Sequence, residues 1–393
     1  MAVMELTPRE RFNRIMHYQP VDRIPVWSVE GVTEGAVRRW IRDGDFPIGM
    51  SVSDVFPLDP VHLIRLDTDP LPSFVPRGVG EDERWHTSID QYGFTVRTLK
   101  EQSISPTIYY YVDGTVHNRQ EWEELKKRYD PTDPRRKPRA WSPELIEHYN
   151  SATCPVGLRI EWGPGRGAKN GYTMGLELFM ETLIDDPGLV KDMFDFWADF
   201  VIEAARDIVS QCQIDYVYLV EDGMGYKNST LVSPRMYREL WIPGMRRVTD
   251  FLRGHGIDVI AHYSSGNQLP IIPVLLDIGV NLYFPLEVAA GMDAQALRKR
   301  FGKDILLIGN ISRQALMDGP EAVEREFYAK VPPLMEVGGY IPAVDDAIMP
   351  DISFESYARY LQLVRTYKRI LSITGGNLLK PPSRGRLLPE ILR

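Results

Sequence analysis

The chain of 393 residues has only two cysteines, Cys154 and Cys212. Two such thiols make neither a metal-ligand pattern nor a disulfide framework, and they point to a reducing compartment. No apolar run reaches the roughly 20 residues that a bilayer span needs. The opening MAVMELTPRERFNRIM is charged and has no apolar signal-peptide core, so a cytoplasmic address is expected. Positive charge is not in excess: 46 Lys and Arg stand against 54 Asp and Glu, a formal net charge of −8. Nucleic acid is therefore not an expected partner, and neither is a membrane. Phosphate-cradle signatures are missing as well. The glycine-rich run Gly163-Pro164-Gly165-Arg166-Gly167 lacks the Lys-Ser/Thr pair of a P-loop and the spacing of a dinucleotide fingerprint. It reads as a loop that turns, or that lets backbone approach a ligand. What remains is ordinary globular composition, 44% hydrophobic and 25% charged, with ample length for a large core.

The stretch from Gly256 to Glu287 organises the rest. Ile257 to Ala261 is short and apolar enough for a buried strand. The polar cluster His262-Tyr263-Ser264-Ser265-Gly266-Asn267 follows, then a helical pattern stopped by Gly279, then a second apolar run from Val280 to Leu286 that ends on Glu287. Strand, polar turn, helix, strand is a βαβ unit of a parallel sheet.

The same alternation runs from residue 153 to 373. Strands are expected over Pro155–Glu161, Asp215–Val220, Asp304–Asn310 and Gly338–Asp346, with helices over about 175–184 and 187–214 and from Ser233, Gly319 and Ser353. Upstream, Thr7-Pro8-Arg9-Glu10 is a capping box that starts a helix ending near Tyr18, and Asp22 to Trp27 reads as a first strand. Residues 66–140 differ in character, with frequent prolines, mixed aromatics and the turn signal Asp113-Gly114. They are expected to be an antiparallel insertion covering one mouth of the main domain. The fold predicted is α/β, a (β/α)8 TIM barrel over 1–375 with that N-terminal insertion of antiparallel character. Residues 376–393 form a C-terminal tail.

In such a barrel the carboxyl ends of the strands meet at one face. Those ends carry Glu30, Glu161, Glu221, Asp222, His262, Tyr263, Ser264, Ser265, Glu287, Asn310, Asp345 and Asp346. Each alone has a bland reading. Glu161 or Glu287 pairs with an arginine such as Arg159 or Arg313, His262 is a satisfied core histidine, and Asp345 or Asp346 caps a helix. Together, several carboxylates in one cavity push some pKa values up, which is what a general acid for an oxygen leaving group needs. A thiolate-rich zinc site is not expected. A zinc held by His262 with Glu161 or Glu221 is the less favoured option.

The chain resembles the uroporphyrinogen decarboxylase superfamily, which also contains cobalamin-dependent methyltransferases. The resemblance rests on Thr7 to Arg11 through Pro20 to Val26 and on Glu221-Asp222-Gly223-Met224-Gly225-Tyr226 with Ser233-Pro234 and Pro243. It also rests on Ser264-Ser265-Gly266-Asn267, Gly279-Val280-Asn281, Gly291-Met292-Asp293, Gly309-Asn310-Ile311 and Gly338-Gly339-Tyr340. It implies a (β/α)8 barrel. Two departures narrow the activity. True decarboxylases have an arginine-rich segment after the first strand, where this chain reads Val26-Trp27-Ser28-Val29-Glu30-Gly31. Zinc-dependent thiol methylators have His-x-Cys near the Gly-Asn pair and a late Cys. Tyr263, Ser265 and the region Ala343 to Asp346 stand in those places here.

The resemblance therefore implies a methyltransferase of O-demethylase type. It moves a methyl group from a small donor, such as a methoxylated aromatic, to a corrinoid (cobalamin) carried by a separate protein. This chain has no Asp-x-His-x-x-Gly corrinoid signature of its own. Under this reading Glu161, Glu221, Asp222 and His262 are the catalytic candidates. Trp27, Glu30, Trp162, Tyr226, Tyr263, Ser265, Asn267, Glu287, Asn310, Asp345 and Asp346 bind the substrate, with Phe284 as a further aromatic. A decarboxylase of uroporphyrinogen-like or other carboxylated substrates is the alternative, and a non-catalytic binding barrel the second alternative. A homodimer is left open.

Overall fold

In the computed structural model, residues 5–101 and 109–367 are described. Their strands, in chain order, are β1 (His62–Arg65), β2 (Arg77–Glu81), β3 (Trp85–Ile89), β4 (Thr95–Leu99), β5 (Tyr110–Asp113), β6 (Val156–Glu161), β7 (Tyr216–Val220), β8 (Ile260–Tyr263), β9 (Leu282–Phe284), β10 (Leu306–Ile311) and β11 (Tyr340–Val344). Seven make one parallel sheet in the order β1-β6-β7-β8-β9-β10-β11, and β2-β3-β4-β5 make a separate antiparallel sheet. The principal crossovers are helical: Pro187–Gln211 between β6 and β7, Ile242–Gly254 before β8, Ala294–Phe301 before β10 and Pro320–Val337 before β11. The helix Phe354–Thr366 follows β11.

Period-two alternation divides the parallel strands into two faces. Val217 and Leu219 of β7, Leu307 of β10 and Tyr340 of β11 join the large core beneath the helices. Tyr216, Ala261, Leu282, Phe284, Leu306, Ile308, Ile341 and Ala343 form a second cluster. One cluster drawing on every strand from β7 to β11 means that this face curls in on itself. Its amino end is filled by the helix Pro8–Met16, whose Phe12, Ile15 and Met16 belong to the same cluster. Phe12 stacks on Trp27 at 5.3 Å. Arg9 and Asn13 of that helix bind Asp215, the residue before β7, at 2.9 and 2.8 Å. The opposite, carboxyl end of the sheet is left open.

The expected first strand does not form. Residues 24–28 and 31–33 flank a bend at Val29–Glu30, and the backbone pairing of the segment is limited to an isolated parallel bridge between Val32 and Ile348 and the bond from Asp59 N–H to Val26 O, 3.0 Å. The reason is local. Pro25 has no donor, and the Val26 N–H is taken by the Asp59 side chain at 2.7 Å. The strand beside β6 is instead His62–Arg65. The structure thus shows a curled parallel sheet of seven strands rather than eight.

The antiparallel character of the insertion is present in β2 to β5, but Asp113-Gly114 is not a hairpin turn. It ends β5, and a side chain at Gly114 would meet the Thr173 carbonyl oxygen at 1.8 Å, so glycine serves close packing there. The β3–β4 turn is Asp90–Gly93, closed by Asp90 N–H to Phe94 O at 2.9 Å. The last helix is described to Thr366, and the expected tail 376–393 lies outside the described residues. Among the described residues no helix is long and apolar enough to cross a membrane.

Candidate active site

A cavity of about 890 Å³ opens at the carboxyl end of the curled sheet. Its floor is the inner face of the strands, with Trp27, Tyr216, Tyr218 and Phe284. Its other wall comes from the antiparallel sheet, through Tyr92 in the β3–β4 turn and Tyr111 of β5. Charge is concentrated between them: Glu30, Glu161 and Asp222 on one hand, Arg65, Arg159, Arg166 and Lys169 on the other. The volume suits a small ligand.

Two of the carboxylates are pulled in opposite directions. Glu30 is pushed up to about 7. Burial is the main cause, and the neighbouring carboxylates of Asp346 and Asp222 add to it. The Tyr263 hydroxyl donates to Glu30, and Tyr263 is itself pushed far up by burial and by that carboxylate. Asp222 is also buried, which raises it. Lys169, 2.5 Å away, and the Ser265 hydroxyl, 2.7 Å away, outweigh burial and hold it below its ordinary value. Two carboxyl groups on one cavity with opposed environments divide naturally into a proton donor and a fixed negative charge. Glu161 binds Arg159, with Nε and a terminal nitrogen at 2.8 and 2.5 Å from the same oxygen.

The loop 163–167 shapes this wall. Gly163, Gly165 and Gly167 all have positive φ, and a side chain at Gly167 would meet the Asp222 backbone at 3.1 Å. The glycines let the loop lie against the end of β7, where Lys169 N–H reaches Asp222 O at 3.0 Å. Arg166 is itself left-handed, at φ 68°, and stacks over Tyr92 with 4.5 Å from its guanidinium carbon to the ring centre.

Trp27, Glu30, Glu161, Asp222, Tyr263 and Phe284 are the expected site residues that the structure gathers at the cavity. The others lie elsewhere. Glu221 and His262 are 0% exposed, on the helix-covered face of the sheet. Glu221 accepts from Tyr172 and Tyr237, both at 2.6 Å, and lies 3.0 Å from His262 Nε2. His262 Nδ1 faces Gln268 Oε1 at 2.7 Å, and the Gln268 amide donates to Ser264 O, which fixes that orientation. Neither side chain lines the cavity, and the partners around both hold them in the packed layer.

His262 and Glu161 face opposite sides of the sheet, whereas His262 Nε2 lies 3.0 Å from Glu221 and Nδ1 lies 2.7 Å from Gln268. Among the described residues no three His, Cys, Asp or Glu side chains are arranged to hold a metal ion.

The remaining expected ligand residues do not line the cavity. Trp162 is fully buried against Phe194, and Tyr226 is 69% exposed outside the cavity. Ser265 supports Asp222. Asn267 binds Ala290 O, and Glu287 accepts the Gly266 N–H at 2.8 Å. Asn310 ties together Leu286, Met292 and Ala294. Asp345 accepts the N–H groups of Val288 and Arg313, and Asp346 pairs with Arg313 at 2.6 Å.

Arg65, Arg166, Lys169 and Tyr218 were not anticipated at the site, nor was Arg159 as a cavity residue. Counting alternate residues back from Asp222 through Val220, Tyr218 and Tyr216 would have found the inward face of β7.

A curled parallel sheet with a charged, aromatic-floored cavity at its carboxyl end belongs to the α/β class whose ligands sit at that end. Residues 168–367 match the uroporphyrinogen decarboxylase (URO-D) family, and the chain belongs to that family. No curated protein matches the chain.

Proposed function

We propose that this protein is a methyltransferase of O-demethylase type. In this reading it takes a methyl group from a small methoxylated aromatic bound in the cavity, with Glu30 as the general acid. The observation that carries the reading is Glu30 itself, a carboxyl group raised to about 7 on an aromatic-floored cavity and hydrogen-bonded by Tyr263. The acceptor is a corrinoid on a separate protein docking at the cavity mouth. When bound there, the corrinoid would supply the nucleophile for the methyl carbon. The cavity, at about 890 Å³, suits the donor.

The chain's own residues do the rest. Trp27, Tyr218 and Phe284 hold the donor ring by stacking and apolar contact. As the methyl carbon–oxygen bond breaks, the electron pair stays on oxygen, and Glu30 delivers its proton there, directly or through the Tyr263 hydroxyl. Glu30 regains a proton from water after product leaves. Burial keeps Glu30 protonated, with the charges of Asp346 and Asp222 adding to it, and Asp222, paired with Lys169, does not itself transfer a proton. The same proposal takes the seven strands as a barrel whose gap between β11 and β1 is closed by residues 24–33 without a regular strand, which the Val32–Ile348 bridge supports. A cytoplasmic location is part of the same proposal.

The test is incubation of the protein with a reduced corrinoid protein and a panel of methoxylated aromatics, followed by the corrinoid absorbance. Transfer from at least one donor is expected, and none from any donor would defeat the reading. Decarboxylation is the second reading, since a raised Glu30 also suits protonation of the carbanion left by loss of carbon dioxide. It predicts carbon dioxide release with no corrinoid present.

A further inference from the structure

Arg65 and Arg159 stand side by side. The parallel register of β1 and β6 pairs them directly, and both line the cavity. Like charges paired across strands are unfavourable unless something offsets them. One carboxylate does so in part. Glu161, two residues after Arg159 on the same face, binds Arg159 alone. Among the described residues Arg65 has no carboxylate within 4.0 Å. Two guanidinium groups and one carboxylate leave a single positive charge on this wall. The aromatic floor lies beside it, with the Arg159 guanidinium 5.9 Å from the centre of the Tyr218 ring.

We infer that Arg65 and Arg159 form a site for one carboxylate, so that the ligand of this cavity is a monoanionic aromatic acid. The inference rests on reading the cavity as the substrate site of the proposed methyl transfer. One negative charge neutralises the wall. A dianion would exceed that charge and meet Glu161. The planar fork of Arg65 suits the two oxygens of a carboxylate, with the terminal nitrogen of Arg159 that Glu161 does not engage beside it, and such charge-assisted bonds are among the stronger ones in proteins. The aromatic part then lies over Tyr218 and Trp27. The arginine pair thereby sets the end of the donor that faces β1 and leaves the other end toward Glu30.

The test is calorimetric titration of the full chain, without corrinoid, with 3-methoxybenzoate, its uncharged counterpart anisole, and phenyl phosphate. We expect 3-methoxybenzoate to bind at least about tenfold more tightly than either. Arg65→Gln is expected to lose about tenfold for 3-methoxybenzoate while binding anisole unchanged, and Arg65→Lys to recover part of the loss. Melting curves show that each variant is folded. Equal binding of the acid and anisole, tighter binding of phenyl phosphate, no binding of 3-methoxybenzoate, or an unchanged Arg65→Gln variant would each overturn the inference. The outcome is separable from that of the methyl transfer reading. Tight binding of the acid without transfer would sink the reaction and keep the arginine site. Transfer from neutral donors alone would sink the arginine site and keep the reaction.

Discussion

Glu221 and Asp222 are consecutive residues that the sheet sends to opposite faces. Asp222 lines the cavity beside Lys169, while Glu221 is sealed under the helices among Tyr172, Tyr237 and His262. The two carboxylates therefore have separable consequences.

Replacing Glu221 by alanine leaves two phenols without their acceptor and an imidazole without its neighbour among fully buried side chains. Breaking a buried polar pair in this way costs about 3–5 kcal/mol. A large drop in thermal midpoint is expected, whereas Asp222→Asn, at a partly open pair, changes stability by within about 1 kcal/mol. Similar melting of the two variants would contradict the assignment of faces.

Much of the fold was legible because it rests on short-range signals. The capping box at Thr7 to Glu10 is present with both of its bonds, and the βαβ unit from Ile260 to Phe284 has its two strands in parallel within the same sheet. The first strand was misplaced because apolar content in residues 22–27 does not reveal that Pro25 and the Asp59 side chain remove its ladder donors. The site was half legible for a related reason. Strand ends can be read from the sequence, but their polar character does not separate Glu161 from Trp162, Glu221 from Asp222 or His262 from Tyr263. In each pair one side chain faces the cavity and the other the helices. Arg65 was invisible because β1 is only four residues long and its partner lies 94 positions away at Arg159.

Glu30 links pH to stability. Its folded value lies above its ordinary one, so the folded state holds that proton more tightly than the unfolded chain does. The stability this contributes is present at low pH and is lost as pH rises through about 7. Glu30→Gln removes the dependence. Denaturant titrations at pH 8 to 9 should find the variant more stable than the parent chain. Equal or lower stability there would show that Glu30 is not held protonated.

The glycine loop at 163–167 should tolerate little. Gly165 has φ +74°, and a side chain there would meet Thr173 N at 2.6 Å. Gly165→Ala is expected to cost about 1–3 kcal/mol and to displace Arg166 from Tyr92. The displacement would weaken ligand binding as well as lowering the melting point. Undiminished stability would mean that the loop has slack the close contacts do not suggest.

Phe12 is fully buried where the helix Pro8–Met16 closes the amino end of the curled sheet. Phe12→Ala is expected to cost about 3–5 kcal/mol, measured by urea unfolding. A cost below about 1 kcal/mol would mean that this helix is not part of the inner core.

The most direct test of the account is the rate of methyl transfer to a reduced corrinoid protein, followed by absorbance for the parent chain and for Glu30→Gln between pH 5 and 9. The account predicts transfer by the parent that falls as pH rises through about 7, together with a loss of about 10²–10⁴-fold in the variant at low pH and no remaining pH dependence there. Transfer at the parent rate by Glu30→Gln, or no transfer by the parent from any methoxylated aromatic, would contradict it.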